Sequence, residues 1–336
     1  GCESFKTDAE LIDDLCPIHQ TKPEHIKEEN YFFKLSKYQE KLIQLITSNE
    51  LKITPENKKQ ETLSFIKSNL EDFSISRSNE RAKGIGVPVP GDPTQKIYVW
   101  FDALTIYMTG VGFGWDGENW EIWWPADLHI IGKDINRFHT VYWPAMLLSA
   151  RLPLPKQILI HGFVNLKGEK ISKSVGNVIS PQDVVKEYGL EPLRYFMLSQ
   201  IPIDADGDFT DERFKEVYNA DLANGLGNLV ARVAKLCEQS NIENSSEATG
   251  NWYPEVEQIL QQFKFNEALS FIWSQIADAD KFINEEKPWE PPAENAKRIL
   301  EDLVKKIQQI AFNLRPFLPQ TAEKIQKQFS GQIKSQ

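Results

Sequence analysis

The spacing of apolar residues predicts helices in two parts of the chain. Within residues 31–75, apolar side chains recur three or four positions apart, as they do along one face of a helix. From Asp211 onward the same spacing returns, interrupted by the polar stretch 240–250. We therefore predict helices over 31–75 and a helical bundle from Asp211 onward.

Three short apolar runs between these parts predict buried strands. They are residues 97–101, 127–131 and 157–161. The first leads into helical spacing from near Asp102, and the second into a helix over about 134–150. Ser180 followed by Pro181 is typical of a helix start. Strands that alternate with helices predict part of a parallel α/β sheet, so the predicted fold class is α/β followed by all-α.

Composition narrows the class of protein. A length of 336 residues predicts two or three domains, and a hydrophobic fraction of 41% can fill their cores. The net charge of −10 excludes a uniformly basic nucleic-acid binder, so any RNA contact must use a local patch. Three cysteines indicate a reducing compartment, and no apolar run approaches the ~20 residues of a membrane span. We expect a soluble, cytoplasmic protein.

The segment Lys170-Ile171-Ser172-Lys173-Ser174 carries the sharpest chemical signal. Two ammonium groups and two hydroxyls within five positions suit a polyphosphate ligand. The nearby Gly168 and Gly176 let the backbone turn and move. A solvated lysine-rich turn is the alternative, because lysine is a common surface residue.

A second candidate site follows the second predicted strand at Gly132-Lys133-Asp134. Ligands of open α/β sheets bind at such strand ends, where a carboxylate can accept hydrogen bonds from ribose hydroxyls. The alternative is an ordinary turn in which Asp134 caps its helix. Ile135 and His139 lie four positions apart and share a helix face, either toward this ligand or within the core.

Residues Trp100, Leu104, Tyr107 and Met108 recur at helical spacing. Apolar walls with one phenol and one imidazole would suit a small apolar amino-acid side chain, including a thioether. On spacing alone, structural core is the better explanation of these residues.

The helical tail offers a candidate surface for single-stranded bases. Asn228 and Arg232 are four positions apart on one predicted helix, and Trp289 follows a proline at a helix break. Amide and guanidinium groups read base edges, and an indole can stack on a base. A surface polar pair and an unrelated buried tryptophan are the alternative.

Cys2, Cys16 and His19 are candidate zinc ligands. A structural zinc site closes with four ligands, and this set has three. The fourth would come from before Gly1 or from a residue such as His25.

Taken in order, several motifs resemble the methionyl-tRNA synthetases, a family of class I aminoacyl-tRNA synthetases. They are Cys16-Pro17-Ile18-His19, Glu29-Asn30-Tyr31-Phe32-Phe33, Val99-Trp100-Phe101-Asp102-Ala103-Leu104, Ile131-Gly132-Lys133-Asp134, Phe138-His139, Trp143-Pro144-Ala145-Met146-Leu147, His161-Gly162, the lysine segment, Asn224-Gly225-Leu226-Gly227-Asn228-Leu229 and Lys287-Pro288-Trp289. The resemblance covers nearly the whole chain.

The resemblance implies a ligase that activates L-methionine with ATP and Mg²⁺ and transfers it to tRNA(Met). Lys173, assisted by Lys170, would stabilise charge on the ATP phosphates, and Ser172 and Ser174 belong to the same loop. Gly132 and Asp134 would hold adenosine. The implied methionine pocket consists of Trp100, Leu104, Tyr107, Ile135 and His139. The implied readers of the CAU anticodon are Asn228, Arg232 and Trp289.

The family's His-x-Gly-His signature is absent, since no two of the five histidines are two or three positions apart. The chain therefore resembles the C-terminal two-thirds of a synthetase. It would comprise a connective, zinc-knuckle-like insertion with its following helices (1–74) and the second half of a Rossmann-like domain (75–165). A lysine-loop and stem-contact region (166–213) and an anticodon-binding domain (214–336) would follow.

Three functions remain open at this stage. The chain can be part of an active enzyme whose N-terminal part is a separate segment. It can instead be an isolated tRNA-binding or anticodon-binding fragment without amino-acid activation. A synthetase for leucine, isoleucine or valine is the third possibility.

Overall fold

The structure, a computed structural model, describes residues 11–16, 21–23, 28–115, 119–170, 179–244, 250–290 and 293–335. Its α-helices are α1 (Gln39–Thr47), α2 (Glu56–Lys67), α3 (Val99–Ala103), α4 (Ile106–Thr109), α5 (Trp143–Ala150), α6 (Pro181–Tyr188), α7 (Leu190–Gln200), α8 (Asp211–Val217), α9 (Asn228–Gln239), α10 (Pro254–Leu260), α11 (Phe265–Glu286), α12 (Ala293–Leu314) and α13 (Pro319–Gln328). Its strands are β1 (Phe32–Phe33), β2 (Lys52–Thr54), β3 (Phe73–Ser74), β4 (Ser76–Ser78), β5 (Pro88–Val89), β6 (Asp92–Ile97), β7 (His129–Gly132), β8 (Gln157–His161), β9 (Val164–Leu166), β10 (Glu169–Lys170), β11 (Gly207–Phe209), β12 (Glu243–Asn244) and β13 (Gly331–Gln332).

The chain folds into two compact units. The first contains residues 1–52, 59–129 and 137–158, and the second contains 53–58, 130–136 and 159–336. No helix among the described residues is long and apolar enough to cross a membrane.

Antiparallel strands and an aromatic cluster form the first unit. The sheet order is β4-β6-β5, and β1 pairs with β3. The apolar cluster is built around Leu104, Met108, Trp124, Trp143, Met146 and Leu147.

The predicted strand over 97–101 is wrong in position. The strand β6 ends at Ile97, where Ile97 pairs with Ser76, and Val99 already begins α3. A turn at Gly91, whose φ is +81°, sets the β5–β6 hairpin ahead of the apolar run. The run itself does not alternate, and a short apolar run fits a strand or a helix equally well.

Strands β2, β8 and β7 form a three-stranded sheet in the order β2-β8-β7, β9 lies between β10 and β11 in another, and β12 pairs with β13. Strand β8 falls on the predicted run 157–161, and Leu159 and Ile160 are fully buried in it. Strand β7 begins two residues later than the predicted run 127–131. Two predicted helices within 31–75 are confirmed as α1 and α2, but β2 lies between them, and β1 and β3 occupy the two ends of the range. These strands were missed because strands of two or three residues are too short to show a period.

The helix predicted over about 134–150 is confirmed with irregular parts. A 3-10 turn covers Lys133–Ile135, a π-helical segment covers Phe138–Tyr142, and α5 completes it. Pro144 has no N–H to continue the i→i−4 pattern, which favours a wider turn ahead of α5. The predicted start at Ser180 is also confirmed, although its hydroxyl bonds the Gln182 side chain instead of capping the backbone.

The predicted helical tail is confirmed from α8 to α13. One continuous apolar core unites these helices with α6, α7 and β11. The long helices α11 and α12 supply much of it, including the fully buried Ile272, Ile283, Leu300 and Leu303.

Glu191 joins α7 to the start of α13. Its carboxylate is only 8% exposed and accepts hydrogen bonds from the amides of Gln320 at 2.6 Å and Thr321 at 2.9 Å. It also accepts a bond from the Thr321 hydroxyl. The first amides of a helix have no partner within the helix, so a carboxylate from another helix caps α13.

We expect Glu191→Ala to lower the free energy of unfolding by about 2 kcal/mol, because buried amides of α13 lose their acceptor. Urea unfolding followed by far-UV circular dichroism measures this change. Glu323→Ala, an exposed glutamate on the same helix, is the matched control. Equal midpoints for the two variants would contradict the capping role.

Candidate functional site

Four of the five residues of the predicted methionine pocket lie in the first unit. The hydroxyl of Tyr107 and Nε2 of His139 are 2.7 Å apart. Trp100 stacks on Phe138 with 4.4 Å between ring centroids, and it lines an apolar crevice together with Leu104. The short helices α3 and α4 and the π-helical segment position these groups. Ile135, the fifth predicted residue, belongs to the second unit, in the 3-10 turn Lys133–Ile135.

Burial determines the protonation state of the Tyr107 hydroxyl beside His139. His139 is 2% exposed, and burial raises the pKa of the Tyr107 hydroxyl above its ordinary value. The phenol is therefore protonated at neutral pH. Its hydrogen bond to the imidazole fixes the orientation of both groups.

His129 is a polar member of this cluster that was not predicted. It is 6% exposed, and its ring lies 4.4 Å from that of Tyr107. Burial, with a smaller contribution from the charge of His139, lowers its pKa to about 4. The sequence feature that could have revealed His129 is a histidine at an inward-facing position of an otherwise apolar strand.

The predicted nucleotide residues lie at the end of β7 in the second unit. Gly132 ends the strand, and a Cβ there would lie 2.9 Å from Oδ1 of Asp134. The Asp134 side chain is exposed. A bare backbone beside an exposed carboxylate can receive a ribose.

Lys133 and Asp206 form an ion pair next to this strand end. Their Nζ and Oδ2 atoms are 2.6 Å apart, and Asp206 also accepts the Phe163 amide at 2.9 Å. The hydrogen bond from Lys133, and then that from Phe163, lowers the pKa of the Asp206 carboxyl. A Cβ on Gly162 would overlap the carbonyl oxygen of Ala205, so only glycine fits at this position.

A tight hairpin holds the start of the predicted lysine loop. Strands β9 and β10 are antiparallel, with Lys170 opposite Asn165. Lys167 and Gly168 both have positive φ, 53° and 80°, as a two-residue turn of this kind requires. The Gly168 amide donates to Asp208 of β11 at 2.8 Å. Ser172, Lys173 and Ser174 lie outside the described residues.

The predicted zinc ligands are only partly described. Cys16 is buried, whereas Cys2, His19 and the alternative ligand His25 lie outside the described residues. Within the part of the chain that the structure describes, no group of three or more His, Cys, Asp or Glu side chains could hold a metal.

Two of the three predicted anticodon residues are in contact in the second unit. The guanidinium of Arg232 lies over the ring of Trp289, 5.2 Å from its centroid. Asn228 is exposed one turn before Arg232 on α9. A π-helical segment, Tyr218–Gly227, runs directly into this helix. Such segments are frequent at functional sites.

Comparison with known proteins defines the class of the chain. The family model described as "tRNA synthetases class I (M)" matches residues 1–234. The methionine–tRNA ligase of Clostridium acetobutylicum is 42% identical over 99% of this chain, and that of a Nostoc species is 41% identical over 98%. By sequence, the chain thus belongs to the class I aminoacyl-tRNA synthetases.

Solved structures agree with this class. The methionyl-tRNA synthetase of Mycobacterium tuberculosis, bound by methionyl-adenylate, superposes with a TM-score of 0.84 at 35% identity. The match covers 96% of this chain and 68% of that one. The fold is therefore the Rossmann-like domain with a helical part found in that class. This chain belongs to the methionyl-tRNA synthetase family. It spans 54% of the Clostridium relative and 66% of the Nostoc relative.

The buried His129 predicts an acid sensitivity of the first unit. Between pH 6.5 and about 4 the unfolded state binds a proton that the folded state does not, so the free energy of unfolding falls as pH falls through this window. We expect His129→Gln, which cannot titrate, to remove about 2 kcal/mol of the loss between pH 6.5 and pH 5.

Urea unfolding at several pH values, followed by aromatic fluorescence, measures this effect. His161→Gln replaces an exposed imidazole and is the matched control. An unchanged pH dependence in His129→Gln would contradict a buried, neutral His129.

Proposed function

We propose that the chain acts as part of a methionine–tRNA ligase that activates L-methionine with ATP and transfers it to tRNA(Met). The observation that carries this proposal is the Tyr107–His139 hydrogen bond of 2.7 Å, in a chain 35% identical to a synthetase bound by methionyl-adenylate. The names of the curated relatives support the same reaction.

The methionine side chain would lie against Trp100 and Leu104, and the role of Ile135 in binding methionine stays a prediction. Its sulfur is a weak hydrogen-bond acceptor. With the proton of His139 on Nε2, the imidazole donates to the Tyr107 oxygen, and the hydroxyl proton is then available to the sulfur. A leucine or isoleucine side chain would leave that hydroxyl without an acceptor, which costs free energy in a buried pocket. This disfavours the alternative synthetases for leucine, isoleucine or valine.

Activation joins a methionine carboxylate oxygen to the α-phosphorus of ATP and breaks the bond to pyrophosphate. Asp134 would accept hydrogen bonds from the ribose, and Gly132 would allow the nucleotide to approach the backbone. Lys170 and Lys173, with Ser172 and Ser174, would stabilise the charge that develops on the phosphates. Mg²⁺ would enter with ATP and neutralise part of the same charge.

For the tRNA we propose that Asn228, Arg232 and Trp289 bind the CAU anticodon. Trp289 is 49% exposed, so its ring can stack on an unpaired base. Arg232 and Asn228 present donors on the same face of α9.

The four-part division at residues 74, 165 and 213 is part of this proposal, with a connective insertion first and an anticodon-binding domain last. Zinc bound by Cys2, Cys16 and His19 and a cytoplasmic location stay predictions.

Pyrophosphate exchange into ATP tests the enzymatic role. We expect methionine-dependent exchange when this chain is supplied with the N-terminal part of the enzyme, and none from the chain alone. Exchange that depends on leucine, isoleucine or valine would contradict the choice of amino acid. Binding of tRNA without exchange in either form would favour an isolated RNA-binding fragment.

Lys173→Ala in the enzyme should lower kcat for pyrophosphate exchange about 100-fold, because it removes charge stabilisation needed in the transition state. The KM for methionine should change little, since the proposed role of this lysine is at the ATP phosphates in the transition state. Lys167→Ala, which replaces the exposed lysine of the hairpin turn, is the control. A changed methionine KM at constant kcat would argue against the phosphate role.

A further inference from the structure

The side chain of Arg232 is held by two polar residues of another helix. Its Nη1 lies 3.2 Å from Oδ1 of Asp280, and its Nη2 donates to Oδ1 of Asn284 at 2.8 Å. Asp280 and Asn284 are four positions apart on α11 and so share a face. The amide of Asn284 also donates to the second oxygen of Asp280 at 3.4 Å.

This network fixes the plane of the guanidinium. The fork of Arg232 makes hydrogen bonds through both terminal nitrogens while its carbon lies 5.2 Å from the centroid of Trp289. Arginine has five N–H donors, so two bonds leave donors for a ligand. The side chains of Arg232 and Asp280 are 31% and 46% exposed, which leaves the site open to RNA.

The charges around the site are unlike those of a phosphate-binding patch. Between residues 278 and 290 the chain carries five acidic residues and two lysines. Lys281 and Lys287 pair with Glu285 and Glu290 at 3.7 Å and 3.3 Å. An RNA backbone gains affinity from unpaired cations, which this surface does not concentrate.

We propose that Asp280 is a positioning and specificity-determining residue that holds Arg232 against Trp289 for reading a base edge. The inference rests on the proposed anticodon role of Arg232 and Trp289. Asp280 neutralises the guanidinium, which reduces its attraction to any phosphate, and it presents the remaining donors in one orientation. Phosphate contacts carry no sequence information, whereas oriented donors to a base edge do.

The test compares binding of tRNA(Met) carrying CAU with binding of the same tRNA whose first anticodon base is changed to U. We expect Asp280→Ala to lower the preference for CAU about fivefold to tenfold, within the range for base-edge contacts of arginine. Asp280→Asn keeps an acceptor and should lose less. Neither variant should weaken binding of the changed tRNA.

Glu285→Gln is the matched control. It also removes one negative charge from α11, but it makes its pair with Lys281 and not with Arg232. It should raise the affinity for both tRNAs alike and leave the preference unchanged. Thermal melting of each variant, followed by circular dichroism, separates a loss of positioning from a loss of structure. If Asp280→Ala is less stable, the isosteric variant Asp280→Asn still allows the test.

Two further variants separate the failure of this inference from the failure of the proposed function. Arg232→Ala should reduce the preference for CAU at least tenfold. Trp289→Ala should weaken binding of both tRNAs, because stacking on a base depends little on its identity. An unchanged preference in Arg232→Ala together with unchanged binding in Trp289→Ala would overturn the anticodon site itself. Both losses, together with Asp280 variants that behave like Glu285→Gln, would overturn the positioning role of Asp280 alone.

Discussion

The hydrogen bond between Tyr107 and His139 is the contact on which the account of this site depends. Polar groups buried in an aromatic cluster must satisfy one another, and this pair does so at 2.7 Å. The pairing fixes the orientation of both rings. In the proposed pocket, with the His139 proton on Nε2, the phenol proton would be free to reach a thioether sulfur, which a branched hydrocarbon side chain lacks.

In the proposed RNA site, a polar side chain is also held in one orientation, but it lies at the surface and not in a buried cluster. Arg232 stays partly exposed, and its orientation comes from Asp280 and Asn284 instead of from burial. A buried pocket selects its ligand by shape and because a wrong ligand leaves polar groups unpaired. An open surface selects its ligand through hydrogen-bond donors that are held in one orientation. In both proposed sites, a residue that would not contact the ligand's distinguishing atoms restricts the orientation of one that would.

Sequence patterns predicted the elements better than the contacts between them. Helical spacing located α9 and α11, and an apolar run located β8, because these signals are local. The strand over 97–101 was misplaced because a short apolar run has no decisive period, and β2 is shorter than any pattern can show. The contacts Tyr107–His139, Arg232–Asp280 and Glu191–Thr321 join residues far apart in the chain, so only the fold could reveal them. The resemblance supplied roles for Tyr107, His139 and Arg232, but it gave no indication of His129, Glu191 or Asp280.

A crystal structure of the complete enzyme with methionyl-adenylate is the most direct test of the proposed methionine pocket. We expect the methionine sulfur within about 4 Å of the Tyr107 hydroxyl oxygen, the reach of a weak hydrogen bond to sulfur, with Trp100 and Leu104 against the side chain. A methionyl side chain bound elsewhere, with the Tyr107–His139 pair remote from its sulfur, would contradict this pocket.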